Sequence, residues 1–267
     1  MTEGPIGTER LCEIADAVVA DWHSYLDRGP QTKLNRRAQA ACLYGLAMNN
    51  TNLLEFVTKS HRQGASPLLL MPQIRSIYET GITAQWIAQV DDAPYAWMSE
   101  GRRQSANLVE KLRTSRSEVF RDAAGPIWKA RVDYPDLPSK SKAIARNFEK
   151  ICNDIGVGAD GSYQYYKLMC AFTHPSVDLA DQYLAAIEDD HDLQILTDPK
   201  FDKTDAWLYL AVLGTILAQM AFQYSAKDQV LRKSLLAFGK ELGAPVDLKP
   251  TETAWLRQNG PTPRKPA

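Results

Sequence analysis

The sequence predicts an all-α protein, a bundle of long antiparallel helices. Three observations predict it. Apolar residues recur at i, i+3, i+4 and i+7 over long stretches, alternating strand patterns are nearly absent, and Gly, Pro and Ser stand at the ends of the periodic stretches.

The first stretch, Thr8 to Leu26, carries Leu11, Ile14, Ala15, Val18, Val19, Trp22 and Leu26 on one face and ends at Gly29-Pro30. A longer helix is expected from Leu34 to Arg62, closed by Gly64. Ser66-Pro67 then supplies a cap and a first-turn proline for a helix running to about Val90. Asp92 is placed to cap the next, from Ala93 to about Arg116. Residues 117–139, with Gly125-Pro126, Tyr134-Pro135 and Leu137-Pro138, read as a loop-rich connection.

Ser139 or Ser141 opens an expected helix through Ile155, stopped at Gly156-Val157-Gly158. Asp160 to Thr173 forms another, because Pro175 drives His174 toward extended geometry. Thr204 is expected to cap the apolar stretch Ala206–Phe222, which only Thr215 and Gln219 interrupt, and Lys227 to Leu242 follows. That stretch falls short of the ~20 apolar residues of a membrane span and has no flanking basic cluster, so it predicts a core helix and no membrane partner. Residues 1–243 thus form a single helical domain, and 244–267, with five prolines, a loosely ordered tail with at most a short turn around Trp255.

Composition is that of an ordinary globular protein, 45% hydrophobic and 24% charged, and the net charge of −1 argues against a general polyanion binder. Cys12, Cys42, Cys152 and Cys170 are widely spaced among apolar residues, which predicts reduced thiols and a cytoplasmic protein. Residues 1–10 are polar, so no signal peptide is expected.

Two segments carry chemistry. On a wheel of 100° per residue, Arg75 and Glu79 fall inside the apolar arc of the 67–90 helix, beside Ile82 and Trp86. Charges there are costly unless paired or put to use. They read either as an ion pair fixing helix register or as half of a polar site, and the Arg-before-Glu order weakens a purely local role. The second segment, Tyr163 to Ser176, places Tyr163, Lys167, Cys170 and His174 on one face, with Tyr166 and Ser176 nearby. A histidine at a helix C-terminus either caps the last carbonyls or, its protonation favoured by the dipole, acts as acid, base or phosphate ligand.

Weaker motifs are Glu188-Asp189-Asp190-His191, a single Glu-x-x-His where a di-metal site needs two, and the Arg102, Arg103, Lys111, Arg113, Arg116, Arg121 series. Interleaved with Glu100, Glu110 and Glu118, that series reads as a solvated helix face before an RNA-contacting one. No phosphate-binding Gly-rich loop or nucleophile elbow is present.

Together, Arg75-Ser76-x-x-Glu79 and, about a hundred residues later, Tyr163 to His174-Pro175-Ser176 resemble a bacterial helical family related to the HEPN superfamily (higher eukaryotes and prokaryotes nucleotide-binding domains). The likeness spans roughly residues 34–225 and implies a helical bundle, commonly a homodimer, directed at RNA or nucleotides. The family's nuclease branch pairs an Arg with a His four to six residues on. His174 matches that histidine, whereas the nearest basic residue upstream is Lys167, seven positions away. The implied chemistry is metal-independent RNA cleavage, as in a toxin or defence factor, without cofactor. His174 would move the proton, Arg75 or Lys167 stabilise the phosphorane, and Glu79 hold Arg75. A non-catalytic interaction module and a small-molecule enzyme with an interhelical pocket remain the alternatives.

Overall fold

In the computed structural model, residues 6–129, 138–156, 161–186, 193–201 and 204–260 are described, without the side chains of 127–129 and 204. Among them the chain is an all-α bundle. Helices α1 (Thr8–Asp27), α2 (Arg37–Arg62, entered through a 3-10 turn at Leu34–Arg36) and α3 (Pro67–Gln89) come first. Then follow α4 (Ala93–Arg113), α5 (Glu118–Lys129), α6 (Phe148–Asp154), α7 (Ser162–Thr173) and α8 (Val177–Asp181). The chain closes with α9 (Thr204–Gln223), α10 (Arg232–Glu241) and α11 (Glu252–Asn259). The one sheet among the described residues is a two-stranded antiparallel ladder, β1 (Leu184–Ala186) on β2 (Leu193–Ile195), with Ala185 opposite Gln194.

The apolar helix α9 is the axis of the fold, packed on α1, α2, α3 and α10. Its segment Asp205–Gln223 is long and apolar enough to cross a membrane, but most of it is buried inside the bundle, as a core helix is. The α3–α9 crossing is close because it is built from glycines. A Cβ added to Gly81 would lie 2.2 Å from the Gly214 carbonyl oxygen. Fully buried Asn50 of α2 bridges this crossing, donating from Nδ2 to the carbonyls of Ile77 (2.9 Å) and Gly214 (3.2 Å). Around it Trp22, Trp86, Phe222, Leu43, Leu54 and Met71 fill the core.

Helix starts follow local chemistry where the side chain has no better partner. Ser66 accepts from the Leu68 N–H with Pro67 at the first position, as expected. Asp92 does not cap α4. Its carboxylate instead accepts from the hydroxyls of Ser139 and Ser141, the backbone N–H groups of Lys140 and Ser141, and Nε2 of Gln258. With both serines engaged there, residues 140–146 form turns, and the expected helix from Ser139 or Ser141 shrinks to α6, capped by Asn147. The connection after α4 holds a further helix, α5, whose Ala124 is buried where the helix packs on α4. The last long helix begins at Arg232 rather than Lys227, since the Gln223 side chain takes the Leu231 N–H and Gln229 sits at φ 49°.

The reading of 244–267 as a loose tail fails for 244–260, because this segment has both apolar and charged anchors. Val246, Leu248 and Ala254 are buried. Gln85 donates to the carbonyls of Leu217 and Val246 and accepts from the Leu248 N–H. Arg257 forks onto the Asp154 carboxylate, which also accepts from the Trp86 indole at 3.0 Å. Residues 261–267, Glu188–His191 and the capping role of Thr204 lie outside what is described.

Candidate functional site

The site is built on the α3–α7 contact. Arg75 and Glu79 sit one turn apart on α3, their nearest atoms 3.7 Å apart, with side chains 24% and 36% exposed. They are half-buried rather than sealed, so each keeps part of its hydration. Arg75 reaches across to α7, where Nη1 donates to the Tyr166 hydroxyl at 3.0 Å and to the Cys170 sulfur at 3.5 Å. Its guanidinium lies 5.3 Å from the Tyr166 ring centre, a cation–π distance. Tyr166 is itself held between Phe148 of α6 (4.5 Å) and Tyr163 (6.0 Å, stacked at 23°). A cation thus joins two helices through aromatic and sulfur partners more than through its carboxylate.

The electrostatics follow. Burial pushes the Glu79 carboxyl up, and Arg75, at ion-pair rather than hydrogen-bond distance, opposes this incompletely. Burial works against the Arg75 charge, but the Cys170 bond, Tyr166 and Glu79 outweigh it and hold the group firmly protonated. Burial, with the Glu79 charge adding, pushes the Tyr166 phenol up to about 12.

Arg75 thus meets α7 at Tyr166 and Cys170, with Tyr163 stacked on Tyr166, and Met169 is the fully buried residue of α7. Lys167 is exposed and outside this contact. At ~100° per residue it stands about 160° from the buried Met169, on the solvent side of the helix. His174 is exposed too. It ends α7 in extended geometry (φ −107°, ψ 154°), its N–H on the Cys170 carbonyl, and its imidazole makes no hydrogen bond or ion pair among the described residues. Ser176 serves the chain itself, donating to the Ala171 carbonyl and capping α8 at the Leu179 N–H. Of the residues singled out in sequence, Arg75, Glu79, Tyr166 and Tyr163 come together; His174, Lys167 and Ser176 do not bond to them.

On the other side of α7 lies a cavity of about 560 Å³ between α3, α7, α9 and the α10–α11 connection. Its floor is the buried set Tyr78, Ile82, Trp207, Leu210, Leu217 and Leu248, and its mouth includes the more exposed Tyr165, Leu168, Ala206 and Leu213. No charged side chain lines it. Tyr78 spends its hydroxyl on the Ser162 carbonyl at 3.1 Å, and burial raises this phenol to about 12.

No protein-family model, curated protein or solved structure matches the chain. Among the described residues no group of three His, Cys, Asp or Glu is arranged to hold a metal ion. The basic series is partly spent within the protein: Arg103 of α4 forks onto Glu100, and Arg121 of α5 bonds the carbonyls of Ser115 and Arg116.

Sequence leaves an interhelical pocket as an alternative without residues, because Tyr78 falls on the apolar arc of the 67–90 helix and Trp207 and Tyr209 within the apolar stretch Ala206–Phe222. In sequence nothing separates Tyr165, Trp207 and Tyr209 from ordinary core rings, since aromatic content is only 9% and the fold alone sets them around one space.

Proposed function

We propose that the protein is a cytoplasmic helical binding module that takes an uncharged, ring-bearing organic molecule in the cavity between α3, α7 and α9. The Arg75–Tyr166–Cys170 cluster holds α7 against α3 and so sets the width of that cavity. One observation carries the reading. About 560 Å³ is the size of small-molecule pockets, and the lining is aromatic and aliphatic without a charge. An ion entering it would lose its hydration with no partner to replace it, so ionised ligands are disfavoured. The four free cysteines fit a reducing compartment.

The test is binding of a neutral naphthalene fluorophore, followed by emission, to wild type and to Ala206→Trp. Ala206 is exposed at the cavity mouth, so a large ring there obstructs entry without overpacking the core. Saturable binding by wild type that is lost in the variant, with unchanged circular dichroism, supports the reading. Equal binding by both, or none by wild type, refutes it.

The HEPN-like alternative, a metal-independent RNase, has one support of its own: His174 and Lys167 stand exposed without partners among the described residues, free to meet a phosphate. It requires that wild type cleave a mixed RNA pool and that His174→Ala, folded, does not.

A further inference from the structure

We infer that the cavity has a polar end, made by the hydroxyls of Tyr165 and Tyr209, which selects a neutral ligand bearing a carbonyl oxygen over an isosteric hydrocarbon. This rests on the reading of the cavity as a ligand site and adds the chemistry by which it discriminates.

Three phenols line the cavity, from three different positions: Tyr78 on α3, Tyr165 on α7 and Tyr209 on α9. Only one of them is spent. Tyr78 donates to the Ser162 carbonyl, while the hydroxyls of Tyr165 and Tyr209 have no hydrogen-bond partner among the described residues. Tyr165 is 49% exposed and stands at the mouth, where water satisfies it. Tyr209 is half-buried on α9, between the cavity-lining Trp207 and Leu210. Its hydroxyl is not sealed from solvent, so in the free protein water satisfies it, whereas the indole N–H of the lining residue Trp207 is buried without a partner.

The two groups are suited to donating. Burial pushes the Tyr209 phenol up, with the nearby Tyr165 adding to the effect, so at neutral pH it carries its proton. A neutral phenol in a lining without charges offers an O–H to a ligand oxygen and no counter-charge to an ion. A site that presents an unspent donor discriminates against the analogue that lacks an acceptor, because that analogue displaces water and leaves the hydroxyl unpaired.

The test uses two probes of one shape on the full chain. One is a propionyl-dimethylaminonaphthalene, an uncharged fluorophore whose emission shifts to the red when its carbonyl accepts a hydrogen bond. The other is its propyl counterpart, with a methylene in place of the carbonyl. In Tyr209→Phe and in Tyr165→Phe/Tyr209→Phe the ketone should bind about three- to tenfold more weakly and emit further to the blue. The propyl compound should bind these variants at least as tightly as wild type, because no hydroxyl is left unpaired beside it. If both probes bind wild type and the substitutions change neither affinity nor emission, the polar end is overturned while the ligand site stands. If neither probe binds wild type, the ligand site itself falls and the polar end with it.

Discussion

The glycine contact between α3 and α9 makes the sharpest quantitative prediction. In Gly81→Ala the new methyl would sit 2.2 Å from the Gly214 carbonyl oxygen, 2.8 Å from its Cα and 2.9 Å from its carbonyl carbon. All three are backbone atoms of a core helix, so no flexible side chain can yield. Reaching the 3.4 Å at which ordinary contact begins requires the helices to part by 3.4 − 2.2 = 1.2 Å. Overpacking of this kind costs about 1–3 kcal/mol. The same movement stretches the Asn50 bond to Gly214, now 3.2 Å, beyond hydrogen-bonding range. Leaving that buried amide underbonded adds about 1–3 kcal/mol. Alanine returns about 1 kcal/mol through helix propensity. The net loss is about 3 kcal/mol, or roughly 6–12 °C in Tm for a chain of this size. The control is Gly45→Ala, exposed inside α2 with nothing within 4 Å of its added Cβ, which should gain about 0.4–1 kcal/mol. Urea unfolding of wild type and both variants reads the difference as opposite shifts of the midpoint. A Gly81→Ala protein as stable as wild type would refute the geometry of the crossing.

Two further predictions concern carboxylates of opposite sign. Burial raises the folded-state pKa of Glu79 above its unfolded value, so its ionisation disfavours folding and stability rises as pH falls through that window. Glu79→Gln should therefore be at least as stable as wild type at pH 7, the difference vanishing towards pH 4; thermal melts across that range check it, and a clear loss at pH 7 would make the Arg75 pair a stabilising one. Burial also opposes the charge of Asp92, but bonds from Ser141, Ser139, Gln258 and Lys140 outweigh it and lower its pKa. Its contribution is then present above about pH 4 and lost as pH falls through the folded value. Asp92→Asn should cost roughly 1–3 kcal/mol at pH 7 and little below pH 3 in urea titrations.

How much of this was legible in the sequence depends on the range of the interaction involved. The helices α1, α2, α3 and α9 could be read because each is set by its own apolar period and its flanking Gly, Pro or Ser. Asp92 could not. Its residue type promised a cap, and only the fold brings Ser139, Ser141 and Gln258 to it across 47 to 166 positions of chain. The C-terminal segment was misjudged for the same reason, since proline content says nothing of the Gln85 and Asp154 partners waiting on other helices. In the candidate site, the wheel put Arg75 and Glu79 on the inner face correctly but overstated their burial, because it cannot show that α7 covers only part of that face.

The same limit bears on function. A pattern such as Arg75, Glu79 and His174 joins residues by type, whereas chemistry needs them at one point in space. Arg75 spends Nη1 on Tyr166 and Cys170 and keeps Nε unpaired inside the α3–α7 contact, while His174 faces solvent with no partner among the described residues. Turning the guanidinium out to a phosphate at His174 would pull Nη1 from the contact that ties α7 to α3, and α7 is a wall of the cavity. Binding at the cavity needs no such rearrangement. For that reason we propose the uncharged space lined by Tyr78, Tyr165, Trp207 and Tyr209 as the working part of the molecule, with the Arg75–Tyr166–Cys170 cluster as its support.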